Sequence, residues 1–101
     1  MDNNVKQSMV EKEVGDMYLA AAMLSYGADL MRVDRSDQRR QKFVFRETML
    51  PSIIISSDDV MVVPFLQARL EDIETYFIGK RLWFPPSYPD CIRNIKSAIH
   101  S

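Results

Sequence analysis

An α+β domain is the fold this chain predicts: a small antiparallel hairpin or sheet packed on three helices. The expected order is α-β-β-(β-hairpin insertion)-α-α. Three observations carry it. Asp16 precedes an unbroken apolar run over residues 17–24, which Gly27 closes. Two short alternating segments, 30–33 and 42–46, flank a polar loop over 34–40. Two later stretches place apolar residues at helical spacing, and a β-branched region lies ahead of them.

The first helix is predicted over 17–26. Asp16 can accept from the free amides of the first turn, and Gly27 suits the left-handed residue that follows a helix. The segment is apolar almost all round, so several of its faces must be covered. In a chain of 101 residues that calls for a central helix, or one shared across a dimer. Residues 1–15 are polar and weakly patterned, read equally as a loose helix or a frayed tail.

Strands are expected at about 29–34 and 41–47. In the second, Phe43 and Phe45 face one way while Lys42, Val44 and Arg46 face the other. Residues 49–64 read as an insertion that forms a second hairpin. Its near-continuous apolar runs, 53–55 and 60–63, flank Ser57, Asp58 and Asp59. Such runs must be buried on both faces or cover another chain.

The second helix is predicted from Phe65 or Leu66 to Ile78, with Leu66, Leu70, Ile73 and Phe77 as its core stripe and Gly79 as its end. Residues 80–84 are extended, and Pro85-Pro86 excludes helix there. Ser87 caps a third helix with Asp90 in its first turn. Its apolar face carries Cys91 or Ile92, Ile95 and Ile99. Residues 16–101 are expected to form a single domain.

Composition narrows the class. The chain is 47% hydrophobic and 27% charged, as in ordinary globular domains. One cysteine, Cys91, excludes an internal disulfide and fits a reducing compartment. No apolar run approaches the ~18 residues of a membrane span, and residues 1–4 do not open a signal peptide. The expected location is the cytoplasm, with no membrane partner.

A net charge of -1 conceals four blocks: -3 over 1–31, +4 over 32–46, -5 over 47–79 and +3 from 80 onward. The first basic block makes nucleic acid, DNA or RNA, the leading ligand class. Arg32, Arg35, Arg39, Arg40, Lys42 and Arg46 would line a two-stranded ribbon, with Lys80, Arg81, Arg93 and Lys96 extending the patch. Trp83 and Phe84 would be available to stack on a base, against the plainer reading of Trp83 as core. The competing class is a protein-binding adaptor or inhibitor of a host or phage protein. Its contact surface would be Ile53, Ile54, Ile55, Val60 and Val62, and self-association into a homodimer is expected.

Catalytic chemistry has no candidate. Cys91 and His100, the only thiol–imidazole pair, stand nine residues apart on one predicted helix, out of phase for contact. Asp58-Asp59 lacks the ligand series of a calcium loop. Glu71, Asp72 and Glu74 read as a solvated face, and the three glycines are isolated. No metal or cofactor is expected.

The order of parts resembles a small domain family of unknown function found in phage and prophage genomes. The matching residues are Asp16-Met17-Tyr18-Leu19-Ala20-Ala21-Ala22-Met23-Leu24, Gly27, Phe43-Val44-Phe45 and Tyr76-Phe77-Ile78-Gly79. Tyr88, Arg93-Asn94-Ile95-Lys96-Ser97-Ala98-Ile99 complete the match. The resemblance implies a viral or mobile-element origin, hence a host-cell cytoplasm, and transfers no catalytic residue. The stretch 49–64 departs from the family's pattern.

Overall fold

The structure, a computed structural model, describes residues 11–37, 39–56 and 62–100. Strand β1 is Glu11–Val14, helix α1 Met17–Ser25, β2 Leu30–Asp37, β3 Arg40–Arg46, β4 Met49–Ser56 and β5 Val62–Arg69. Helices α2 (Leu70–Ile78) and α3 (Tyr88–His100) complete an α+β fold. Strands pair antiparallel in two sheets, one ordered β1-β3-β2 and the other the β4-β5 hairpin.

Helix α1 forms as its sequence dictates. The Asp16 carboxylate accepts from the amides of Tyr18 (2.8 Å) and Leu19 (3.3 Å), and Gly27 takes φ +99°. Ala20, Ala21, Ala22 and Met23 are fully buried. The helix packs chiefly on α3, with α2 and β1 closing further sides. Of the two arrangements expected for an apolar helix, the central one is found, so α1 supplies no reason for a dimer.

Four boundaries differ from expectation. Residues 11–14, read as loose helix or tail, form the edge strand β1, with Glu13 opposite Val44 and Val14 opposite Phe43; residues 1–10 lie outside the described residues. Strand β2 runs on to Asp37 and β3 begins at Arg40, so most of the expected 34–40 loop is strand. The second hairpin extends to Arg69, past the expected 64. Helix α2 therefore starts at Leu70, and Leu66 stands on a strand at 69% exposure instead of in the helix core. Leu66 pairs with Ser52, and the ladder from Met49↔Arg69 to Ser56↔Val62 outcompetes one extra helical turn. The Asp72 carboxylate, 2.7 Å from the Arg69 amide, then fixes where α2 begins.

The hairpin is part of the core. Leu50, Ile53, Ile55 and Ala68 are buried with Leu70, Ile73, Phe43, Phe45 and Ile95 in one apolar cluster. On the far edge of β4, residues 81–83 act as a short third strand. Ser56 N–H donates to the Arg81 carbonyl (2.8 Å) and Trp83 N–H to the Ile54 carbonyl (2.9 Å), around an Ile55–Leu82 bridge. Among the described residues no helix is long and apolar enough to cross a membrane.

Candidate interaction surfaces

The outer face of the three-stranded sheet is a lattice of opposite charges. By alternation it carries Glu11 and Glu13 from β1, Lys42, Val44 and Arg46 from β3, and Arg32 and Asp34 from β2. The Arg32 guanidinium binds both oxygens of Glu11, at 3.0 and 3.1 Å. These residues belong to the two outer strands, so the pair spans β3 in between. Its span accounts for Val44, which faces outward as predicted and is nonetheless fully buried. The Arg32 hydrogen bond holds the Glu11 carboxyl below its ordinary pKa, and Glu11 in turn raises that of Arg32. Lys42 pairs with Glu13 (3.5 Å) and Arg46 with Asp29 (3.4 Å).

From β2, the Arg35 side chain reaches across to helix α3. Its Nη2 donates to the carbonyls of Ile99 (2.7 Å) and Ala98, closing the C-terminal turn of α3. Arg81 Nε donates to the Ser56 carbonyl (2.9 Å), with its guanidinium 6.0 Å from the centre of the Tyr76 ring. Lys80, at φ +61°, is exposed. Arg39 and Arg40 stand at the β2–β3 tip, and Arg40 makes no ion pair among the described residues. Arg32, Arg35, Lys42 and Arg46, four of the cations expected to line the patch, are held by acidic side chains or helix-end carbonyls.

The expected apolar contact set also divides. Ile53 and Ile55 are buried, at 0% and 8% exposure, so they belong to the core and offer no interface. Their side chains share the inward face with Phe65 and Val63. Ile54 is half-buried, Val62 is 55% exposed, and Val60 falls outside the described residues.

Across the hairpin's outer side, Trp83, Ile54 and Pro64 stand in one row, with Val62 and Leu66 on either side of Pro64. Val62, Leu66 and Trp83 are exposed and apolar. Sequence reasoning missed Leu66 because a helical stripe through Leu70 and a period-two strand through Pro64 both accommodate it. The available signal was the alternation of Val62, Pro64 and Leu66.

The open edge of β5 is blunted. Ile54 N–H donates to the Tyr26 hydroxyl (3.2 Å), and the Ile54 carbonyl accepts from Trp83. Both groups point away from β5, which makes Ile54–Pro64 a non-hydrogen-bonded pair. The backbone of Pro64 accordingly faces the open side, where its missing N–H removes the central donor of the edge. Gln67, at φ +54°, breaks the strand's regularity two residues beyond Phe65.

A third feature is a pocket of about 570 Å³ lined by Gly15, Asp16 and Met17 from the β1–α1 junction, by 39–43 and by Ile99. Cys91 is buried, and no three His, Cys, Asp or Glu side chains gather among the described residues. No family model, curated protein or solved structure matches the chain.

Proposed function

We propose that this is a non-enzymatic binding protein that engages a partner protein through the outer face of β4–β5. One observation carries the reading: Val62, Leu66 and Trp83 are exposed on the same side of a hairpin whose opposite side is core. Exposed apolar side chains that cluster on one face mark contact surfaces, and tryptophan is the residue most often central to them. The occupant is an apolar segment of another protein, with an acidic flank to meet Lys80, which lies three residues before Trp83. A second copy of the chain fits less well, since Pro64 denies edge-to-edge pairing its central hydrogen bond. Phage or prophage origin is part of this proposal and rests on the sequence motifs alone.

Nucleic acid is the second reading. What favours it is the grouping of Arg39, Arg40 and Lys42 at the ribbon tip. The ion pairs along the rest of the ribbon leave less charge for phosphates than the sequence suggests.

A photo-crosslinking residue at position 66, compared with one at Glu71 on α2, tests the proposal in cells that express the chain. A defined protein adduct from position 66 alone is expected, and L66D binding of that purified protein should fall. Adducts with nucleic acid, or with a second copy of the chain, would overturn the reading.

A further inference from the structure

We infer that the pocket between the end of α2 and the segment leading to α3 binds a monocarboxylate carried on a compact apolar body. Phe77, Ile78, Lys80, Leu82 and Phe84 line it, and at about 410 Å³ it has the size of a small-molecule site. Four of these side chains are apolar and the fifth is a cation. The Lys80 ammonium makes no ion pair or hydrogen bond among the described residues. Apolar walls select an apolar body, and one uncommitted ammonium beside them balances one negative charge.

Lys80 stands there against its own backbone preference. Helix α2 ends in two bonds, Lys80 N–H to the Phe77 carbonyl (3.1 Å) and Arg81 N–H to the Tyr76 carbonyl (2.8 Å). This ending puts Lys80 in the left-handed region at φ +61°. Glycine takes that position without strain, yet Gly79 stands one residue earlier, at φ -76°. The helix end alone would favour glycine at position 80, so the strained site holds a lysine for its side chain. The walls are fixed as well. The Phe84 ring stacks on Tyr88, with centroids 4.4 Å apart, and meets Phe77 edge-on at 6.1 Å. Leu82 is tied to β4 by its bridge to Ile55. The pocket includes none of Val62, Leu66 and Trp83, so it does not rest on the protein-partner reading. L66D, which tests that reading, should leave carboxylate binding unchanged.

Titration of the full chain with hydrocinnamate, its uncharged carboxamide and acetate, followed by backbone NMR shifts, tests this. Hydrocinnamate should shift Ile78, Lys80, Leu82 and Phe84 saturably. The carboxamide keeps the body without the charge, and acetate keeps the charge without the body. Each should bind at least about tenfold more weakly, as loss of a charge-assisted contact or of the apolar body implies. The K80G variant should lose at least about tenfold for hydrocinnamate while its urea midpoint stays level or rises, a combination that a purely structural lysine would not give. An acetylated Gly-Gly-Phe tripeptide with a free carboxylate separates the sources. Tighter binding of the tripeptide than of hydrocinnamate assigns the C-terminus of a protein, and no gain assigns a free small acid. Absence of saturable shifts with hydrocinnamate, an equal response to the carboxamide, or unchanged hydrocinnamate binding in K80G would overturn the inference.

Discussion

Arg35 on β2 closes the last turn of α3 through Ile99, whose carbonyl lies 2.7 Å from its Nη2. A cation at a helix C-terminus satisfies otherwise orphaned carbonyls and complements the helix dipole. Replacing Arg35 with Ala should cost about 1–2 kcal/mol. Urea unfolding measures the loss, and amide exchange should quicken first over residues 95–100.

Tyr26 joins α1 to the hairpin. Its hydroxyl donates to the Trp83 carbonyl and accepts from Ile54 N–H. Burial raises its pKa. The Y26F variant leaves Ile54 N–H without its partner, at a cost of about 1–2 kcal/mol. Calorimetry should show the lower melting temperature, and trimming of Trp83 fluorescence order should accompany it.

The Glu11–Arg32 pair makes stability depend on acid. The folded carboxyl titrates below its unfolded value. Its contribution is present above the unfolded pKa and is lost as pH falls through the lowered folded pKa. Denaturant midpoints taken from neutral pH into the acid range should therefore fall less steeply in E11Q than in the parent chain.

Position along the hairpin separates packing from contact. L66D, at a 69% exposed site, should change stability by no more than about 0.5 kcal/mol. I53A, at a fully buried site, should cost about 2–4 kcal/mol. Urea midpoints of the two variants test the division directly.

Much of the fold was legible where local signals agreed. Asp16 and Gly27 bounded α1, Phe43 and Phe45 marked the inner face of β3, and Ile95 and Ile99 marked the face of α3. Legibility failed at Leu66, where helix and strand periods coincide and pairing with Ser52 decided the outcome. It failed at Val14 too, because a four-residue edge strand is specified by its partner β3 more than by itself. The basic block was visible as charge, but its ion pairs were not. Glu11, Glu13 and Asp29 are distant in sequence from Arg32, Lys42 and Arg46 and meet them only through strand order. The apolar face is set by Ile53 and Ile55 pointing inward, which leaves the alternate positions of the hairpin outside.

The most direct measurement is the affinity of the crosslinked partner protein, once purified, for the parent chain, L66D and R40A by isothermal titration calorimetry. The expected result is a loss of at least about tenfold, equivalent to 1.4 kcal/mol, in L66D, with R40A unchanged. Undiminished binding by L66D, or a loss confined to R40A, would contradict a function centred on the outer face of β4–β5.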